Sequence, residues 1–217
     1  MLYESRFYHA VPGKFAAIND RFANITIDYF KQYEIGMMGF WNDEIGTSNL
    51  LTYILTFDSM ADREKKWTAF GADKARLAAF AETEVDGPLV AKVYNSFMQA
   101  TPYSLEPQLS SKVQELRIYD AMPGKLPALH DRFSNHTMRL FERHGIENIA
   151  YWTELVGTSN RLVYMLGYPS LGDREKSWAA FQADPEWQKA RVESEKDGPL
   201  VRVSTHSIMR PTAYSPR

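Results

Sequence analysis

The sequence contains no cysteine, and this absence excludes several classes of chemistry. Disulfide bonds, thiolate catalysis, and zinc or iron–sulfur centres held by cysteine all require that residue. A chain without disulfides fits a reducing compartment.

The chain also lacks a strong excess of charge of either sign. Its 25 Lys and Arg residues stand against 27 Asp and Glu residues, which gives a formal net charge of −2 at pH 7. A nearly neutral protein gains little from the phosphates of a nucleic acid or from anionic lipid headgroups. Because the basic residues are also dispersed along the sequence, we expect neither a nucleic acid nor a membrane as a partner.

Long hydrophobic runs are the third absence. No stretch approaches the ~20 apolar residues that span a bilayer, and the first residues lack the basic and apolar parts of a signal peptide. We therefore expect a cytoplasmic protein. The chain does contain 44% hydrophobic and 13% aromatic residues, which is typical of a globular protein with a packed core.

An internal repeat is the most informative feature of the sequence. When the sequence is shifted by 111 residues, 46 of 106 paired positions are identical and no gap is needed. The matching segments include Pro-Gly-Lys, Gly-Thr-Ser-Asn, Asp-Arg-Glu-Lys and Asp-Gly-Pro-Leu-Val. A period of this length indicates two copies of a whole domain. We predict repeat 1 over residues 1–103, a linker over 104–111 and repeat 2 over 112–217.

Each repeat shows the same order of predicted elements. In repeat 1, a strand over residues 3–9 precedes a long amphipathic helix and two strands that are joined at the Gly-Thr-Ser-Asn turn. A serine three residues before an acid, as in Ser59 and Asp62, predicts the capped start of a second helix. That helix is predicted to continue over residues 73–84, and a last strand follows over 89–98. The order predicts an α+β fold of two tandem ferredoxin-like repeats, each an antiparallel four-stranded sheet with helices on one face.

Each predicted sheet leaves one face without helices. We expect the two bare faces to pair within the chain as an intrachain α+β barrel, because apolar burial at ~25 cal/mol/Å² outweighs the closure entropy of the linker. Both repeats share alternate residues of the first strand, and these are expected to point toward the shared interior. They are Glu4, Arg6, Tyr8, Glu115, Arg117 and Tyr119. Exposed sheet edges also predict a homo-oligomer.

The motifs of each repeat together resemble one known family. A Glu-x-Arg-x-Tyr strand, Pro-Gly-Lys before a long helix, a hairpin with Trp and Gly-Thr-Ser-Asn, and an Asp-Arg-Glu-Lys-x-Trp helix are similar to the NIPSNAP family of the dimeric α+β barrel superfamily. The resemblance covers residues 3–97 and 113–208. It implies a ferredoxin-like fold in each repeat and pairing of the two sheets, and it carries no catalytic residues. The wider superfamily contains cofactor-free monooxygenases, isomerases and haem-using enzymes.

The strongest candidate site is a chamber lined by aromatic residues and arginine. Arginine suits an acidic or carbonyl-bearing ligand, and a desolvated Tyr or Glu can move a proton. The candidate ligand-binding residues are Glu4, Arg6, Tyr8, Trp41, Tyr53, Glu115, Arg117, Tyr119, Trp152, Tyr164 and His206. They favour a small-molecule-binding protein or a cofactor-independent enzyme, of monooxygenase or isomerase type, that takes a small hydrophobic or anionic ligand. The alternative is a non-catalytic interaction or scaffold protein, whose charged residues pair while aromatics fill the interior.

No histidine occupies equivalent positions in the two repeats. Two equivalent histidine sites for metal binding or acid–base chemistry are therefore excluded, and we predict no metal and no cofactor. Haem held by His206 or His9 is the alternative. His136 lies on the apolar stripe of the long helix and is expected to pack in the core. The Asp-Arg-Glu-Lys segments are expected to form solvated first turns of their helices.

Overall fold

Strands and helices follow one another in the same order in both repeats of the computed structural model, which describes residues 1–216. The strands are β1 (Leu2–Ala10), β2 (Gly36–Ile45), β3 (Leu50–Phe57), β4 (Val90–Ala100), β5 (Val113–Ala121), β6 (Glu147–Val156), β7 (Arg161–Tyr168) and β8 (Val201–Pro211). The helices are α1 (Phe15–Arg21), α2 (Ile27–Gln32), α3 (Met60–Ala72), α4 (Lys74–Thr83), α5 (Leu126–Arg132), α6 (Met138–Arg143), α7 (Leu171–Ala183) and α8 (Pro185–Ser194). Single π-helical turns, Phe22–Thr26 and Phe133–Thr137, join α1 to α2 and α5 to α6.

The sheet topology is antiparallel. In repeat 1, β1 lies between β3 and β4, and β2 pairs with the other edge of β3. Repeat 2 has the same arrangement, with β5 between β7 and β8 and with β6 beside β7. The hydrogen-bonded order β1-β3-β2-β8-β5-β7-β6-β4 is that of a closed barrel. The predicted α+β fold class of tandem ferredoxin-like repeats is therefore confirmed.

The chain divides into two compact units, one built on each repeat. Unit 1 comprises Met1–Met98 together with the last residues from Pro211, and unit 2 comprises Gln99–Arg210. In unit 1, the Tyr214 hydroxyl donates to Asn19 Oδ1 at 2.7 Å. In unit 2, the Tyr103 hydroxyl lies 2.7 Å from His130 Nδ1, at the equivalent position. Each unit thus gains a partly buried tyrosine from a segment that follows a β-strand.

The second helical segment of each repeat begins as predicted but is interrupted. Ser59 Oγ accepts a hydrogen bond from the Asp62 amide at 3.1 Å, which caps α3. The expected continuation of this helix over residues 73–84 is wrong at its first residue, because Asp73 has an extended conformation. Its carboxylate accepts from the Arg76 amide at 2.9 Å and starts α4 as a new helix. A second cap therefore turns the chain between α3 and α4.

The π-helical turn changes which residues of the long helix are buried. A π turn inserts one extra residue, so the side chains that follow are rotated relative to a regular α-helix. In repeat 2, Thr137 is buried and His136 is exposed. The prediction that His136 packs in the core is wrong for this reason.

Helices cover one face of each sheet and form its core with aromatic side chains. In unit 1, Phe22 of the π-helical turn lies 5.1 Å from Tyr53 of β3, measured between ring centroids. In unit 2, Phe133 lies 5.0 Å from Tyr164 of β7 in the same way. Each core is thus packed between the helices and the strand residues of one sheet face.

Candidate functional site

Helices also cover the shared Glu, Arg and Tyr residues of the first strand. The Arg6 guanidinium lies 4.5 Å from the ring centroid of Trp67 in α3, and Arg117 lies 4.2 Å from that of Trp178 in α7. The expectation that these strand residues point toward the barrel interior is therefore wrong. The physical reason is that their buried charges find a cation–π partner and ion-pair partners on the helix.

The remaining candidate residues divide between the two faces of each sheet. Tyr53 and Tyr164 join the arginines on the helix-covered face, where they accept hydrogen bonds from Arg6 and Arg117, each at 2.8 Å. Trp152 follows Tyr151 along β6, and Tyr151 stacks on Tyr164 at 5.5 Å. Because side chains alternate along a strand, Trp152 lies on the opposite face. Trp41 occupies the same position after the helix-facing Phe40, and both tryptophans are fully buried.

The centre of the site in repeat 2 is a buried carboxylate held by two arginines. Glu115 is fully buried. Arg174 of α7 donates from Nε to Glu115 Oε2 at 2.9 Å and from Nη2 to Oε1 at 3.0 Å. Arg117 donates from Nη1 to Oε1. Burial alone would raise the pKa of Glu115, but the hydrogen bonds and charges of the two arginines lower it below its usual value. The carboxylate therefore stays ionised and is engaged on both oxygens.

Arg117 also organises two tyrosines. Its Nε donates to the Tyr164 hydroxyl at 2.8 Å, and its Nη2 donates to the Tyr119 hydroxyl at 2.9 Å. Burial opposes the charge on Arg117, but Tyr164, Tyr119 and Glu115 outweigh it and raise the pKa of the guanidinium. Burial, followed by Tyr119, raises the pKa of Tyr164 well above its ordinary value. Tyr164 is therefore a neutral hydrogen-bonding group rather than a phenolate base.

Repeat 1 contains the same cluster with one extra hydrogen bond. Glu4 is fully buried and receives Arg63 Nε at 3.0 Å, as well as Arg6. Asn95 of β4 adds a donor to Glu4 Oε1 at 3.0 Å. The equivalent residue of β8 is His206, which lies opposite Arg117 in the strand register and approaches Ser204 Oγ at 3.4 Å. Burial and the charge of Arg117 lower the pKa of His206, which favours the neutral ring.

A cavity of about 460 Å³ lies beside this cluster in unit 2. It is bounded by the sheet, the π-helical turn, α7 and α8. Its charged lining comprises Arg117, Arg132, Arg191, Arg202 and Glu195. Its aromatic lining comprises Tyr119, Phe133, Phe141, Tyr164, Trp178, Phe181 and Trp187. The cavity therefore combines several aromatic side chains with an excess of arginine over acidic residues.

The cavity runs from buried to exposed arginines. Arg117 and Arg132 are 3% and 6% exposed, whereas the side chains of Arg191 and Arg202 are 58% and 62% exposed. Arg132 Nη1 pairs with Glu195 Oε1 at 3.0 Å. Burial alone would raise the pKa of Glu195, but Arg132 lowers it below its usual value, so that this carboxylate is ionised. The exposed arginines mark the open end of the cavity.

Sequence reasoning missed the helix arginines of the site. Arg63 and Arg174 belong to the Asp-Arg-Glu-Lys segments, which were expected to be solvated helix starts, yet they reach the buried glutamates. These segments are identical in the two repeats, and this identity was the feature of the sequence that could have indicated a role for the two arginines. The second candidate cofactor ligand, His9, lies at the end of β1 and packs against Tyr94 at 5.6 Å, and haem binding by either histidine stays a prediction.

Two further properties concern residues 1–216 as a whole. Within this range, no three His, Asp or Glu side chains lie close enough together to hold a metal ion. None of the helices in this part of the chain is long and apolar enough to cross a bilayer.

Comparison with solved structures places the fold among known proteins. A crystal structure of an uncharacterised NIPSNAP-like domain protein from Burkholderia xenovorans is 28% identical and covers 48% of this chain and 89% of that chain, with a TM-score of 0.44. A putative monooxygenase from Fusobacterium nucleatum is 10% identical, with a TM-score of 0.60, and covers 97% of this chain and 91% of that chain. An anthrone oxidase-like protein is 12% identical, with a TM-score of 0.61, and covers 97% of this chain and 91% of that chain. At these identities the last two likenesses show the fold alone.

Comparison with protein families gives the assignment. No protein of curated function matches the chain. The model of the NIPSNAP family matches it twice, over residues 3–105 and over residues 114–216. The two matches correspond to the two repeats and together span nearly all of the sequence. The chain therefore belongs to the NIPSNAP family and carries two copies of its domain.

Proposed function

We propose that repeat 2 binds a small molecule that carries an acidic group on an apolar, aromatic body. The observation that carries this proposal is the cavity of about 460 Å³, in which the buried Arg117 lies among aromatic side chains. Ligand pockets are concave, mostly apolar and ~300–1,000 Å³ in volume, with a few polar groups that fix orientation. The cavity lies within this range of volume, is lined by seven aromatic side chains and carries arginines that can fix the orientation of an acidic group.

The charges of the cavity favour an anionic ligand. Arg117 and Arg174 share one carboxylate, that of Glu115. Arg132 and Arg191 likewise share the carboxylate of Glu195. A guanidinium has five N–H donors, so the three hydrogen bonds that Arg117 makes to Glu115, Tyr119 and Tyr164 do not saturate it. An acidic ligand therefore balances an excess of positive charge and meets available donors.

The same electrostatics favour binding over proton abstraction by the residues that touch the cavity. Tyr164, which lines the cavity, has a raised pKa. Glu115, which lies behind Arg117, has a lowered pKa and is held by two arginines. A general base near neutral pH needs a pKa close to that pH. The structural neighbours described as putative monooxygenases share the fold. A cofactor-independent reaction of that type stays a prediction, and ligand binding is the property that it would require.

The alternative of a scaffold with a filled interior is favoured by repeat 1. There, Phe80 of α4 occupies the position of Arg191, and its ring lies 4.7 Å from the guanidinium of Arg21 and 4.7 Å from that of Arg76. The ring centroids of Phe70 and Phe80 are 6.3 Å apart. Side chains of this repeat thus pack where repeat 2 has its cavity, and we assign repeat 1 a structural role.

Titration with 2-naphthoate, a rigid aromatic monoacid, tests the proposed function. Because Trp178 and Trp187 line the cavity, bound naphthoate should change tryptophan fluorescence, and calorimetry should give the affinity. Arg117→Met should weaken binding about tenfold or more, since a hydrogen bond to a charged group contributes about 1.5–3 kcal/mol. The matched variant Arg6→Met, in repeat 1, should bind naphthoate like the wild type.

A second variant protects the test against misfolding of Arg117→Met. Gln182 lines the cavity from α7 and is only partly buried, while repeat 1 has Gly71 at this position. Gln182→Trp should fill the cavity and abolish binding while leaving the far-ultraviolet circular dichroism unchanged. The proposal is rejected if the wild type does not bind the monoacid, or if both cavity variants bind it as well as Arg6→Met does.

A further inference from the structure

We propose that the ligand carries a second acidic group, and that Arg191 and Arg202 form a second anion subsite at the open end of the cavity. This inference rests on the proposed function, because it requires that the cavity of repeat 2 bind a ligand. It narrows the ligand to a diacid, with one group near Arg117 and the other between the two exposed arginines.

The first observation concerns Arg191, which is only weakly paired. Its Nε lies 3.5 Å from Glu195 Oε2, and its side chain is 58% exposed. The other oxygen of Glu195 lies 3.0 Å from Nη1 of Arg132, whose side chain is 5% exposed. An unpaired charge costs more free energy when it is buried than when it is exposed. Arg132 is therefore the principal ion-pair partner of Glu195. Arg191 therefore retains most of its capacity to bind an external anion.

The second observation concerns Arg202, which is also only weakly paired with a carboxylate, that of Asp120. Its Nη2 lies 3.9 Å from Asp120 Oδ2, and its side chain is 62% exposed. Asp120 Oδ1 accepts a hydrogen bond from Arg161 Nε at 2.7 Å, so Arg161 is its principal partner. Arg202 is thus a second cation at the open end of the cavity whose own carboxylate is already engaged.

The third observation is that the fold does not require these charges. Repeat 1 has Phe80 in place of Arg191 and Ala91 in place of Arg202, in the same helix and the same strand. Two positions that line one cavity are thus arginine in repeat 2 and apolar in repeat 1. Arginine at an exposed end suits a carboxylate or phosphate group, because its planar donors bind oxyanions in a bidentate manner.

The test compares two ligands that share one ring system. Naphthalene-2,6-dicarboxylate differs from 2-naphthoate by a single carboxylate on the far side of the ring. The wild type should bind the diacid about tenfold more tightly, as expected for one added charge-assisted contact. Titration with phenyl phosphate and with inorganic phosphate shows whether a phosphate takes the second subsite or whether the aromatic body is dispensable.

Variants test whether the two arginines cause the difference in affinity between the diacid and 2-naphthoate. Arg191→Gln/Arg202→Gln removes both charges but keeps polar side chains, and it should reduce the preference for the diacid to about twofold or less, with a smaller loss of 2-naphthoate affinity than of diacid affinity. Glu195→Gln removes the carboxylate that pairs with Arg191 inside the protein. Because Arg191 is then without an internal anion, the affinity for the diacid should rise about threefold to tenfold. Glu84→Gln removes the equivalent ion pair of repeat 1, Arg21 with Glu84 at 2.8 Å, and should leave both affinities unchanged.

The outcomes separate this inference from the proposed function. Absence of 2-naphthoate binding by the wild type rejects the proposed function itself. Binding of 2-naphthoate without a gain for the diacid, or a gain that persists in Arg191→Gln/Arg202→Gln, overturns only the second subsite. Because both exposed side chains can be changed without opening the core, this double variant stays decisive if Glu195→Gln does not fold.

Discussion

The two repeats build the same ion cluster and then differ in what surrounds it. Glu4, with Arg6 and Arg63, corresponds residue for residue to Glu115 with Arg117 and Arg174. In repeat 1, α4 adds Phe80, which packs against neighbouring arginines. In repeat 2, α8 has Arg191 at that position, and the cavity opens beside it. The comparison teaches that the ion cluster is common to both repeats, whereas the residues packed around it differ.

A reciprocal exchange of aromatic and arginine residues accounts for part of this difference. Arg76 of repeat 1 is buried and lies 4.6 Å from the ring of Phe70. Trp187 takes its place in repeat 2 and packs against Phe181 at 4.6 Å. The aromatic ring thus moves one helical turn toward the start of the helix, and the arginine moves to the exposed end. This exchange places apolar surface inside the cavity and charge at its opening.

The largest expected effect tests whether the cluster is structural in both repeats. Glu4→Gln and Glu115→Gln each leave two buried or partly buried arginines without their anion, so each should destabilise the protein by about 3–5 kcal/mol. Urea unfolding of the two variants measures the loss. If only one variant were destabilised, the cluster would be a functional feature of one repeat rather than part of the common fold.

The next effect tests the difference between α4, whose Phe80 packs against neighbouring side chains, and α8, whose Arg191 borders the cavity. Phe80→Ala removes a half-buried ring that packs on Phe70, and we expect a loss of about 2 kcal/mol in the free energy of unfolding. Arg191→Ala should change stability by no more than about 0.5 kcal/mol, because its side chain is 58% exposed. Thermal and urea unfolding provide the comparison. Equal losses in both variants would contradict the view that repeat 1 is filled where repeat 2 is open.

The smallest effect is a difference in acid stability between the caps of α4 and α8. The hydrogen bond with His144, aided by backbone amides of α8, lowers the pKa of Asp184 from 3.8 to about 2. A lowered pKa in the folded state stabilises the protein above pH 3.8, and this contribution is lost as the pH falls toward 2. Asp184→Asn keeps a capping side chain, so it should flatten the loss of stability between about pH 4 and pH 2.

The matched variant for this comparison is Asp73→Asn in repeat 1. Its carboxylate accepts a hydrogen bond from the Tyr33 hydroxyl at 2.6 Å, which also lowers the pKa of Asp73. A neutral phenol stabilises an anion less than His144 and Arg143 do together, so the change in acid stability should be smaller. Urea unfolding from pH 2 to pH 5 measures both variants. If Asp184→Asn did not change the dependence of the unfolding free energy on pH, another group would be responsible for the loss of stability in acid.

The sequence predicted the strands well and the buried face of the long helix less well. Strands were readable because apolar residues alternate and a turn separates β2 from β3. The π-helical turn adds one residue to a helix whose sequence period alone gives no sign of it. Thr137 therefore faces the cavity and His136 faces solvent, the reverse of what a regular helix predicts.

The candidate site was predicted in composition but not in orientation. The shared Glu, Arg and Tyr residues were found because they are identical in both repeats, and they do form one cluster on each sheet. Alternation along a strand says which residues share a face, but it does not say whether helices or strands cover that face. Arg174 was missed because a helix start rich in charge normally lies in solvent, and only the packed structure brings its side chain to Glu115.

By itself, the sequence determined the duplication, the α+β order of elements and the family, because these depend on local patterns and on a repeat that needs no coordinates. Only the tertiary structure decided that helices cover the charged strand residues and that a cavity opens in repeat 2. The physical reason is that both outcomes depend on side chains distant in sequence. The contact between Trp178 and Arg117 forms only after the helices have packed on the sheet. In the same way, the replacement of Phe80 by Arg191 affects the cavity only because α8 packs beside it.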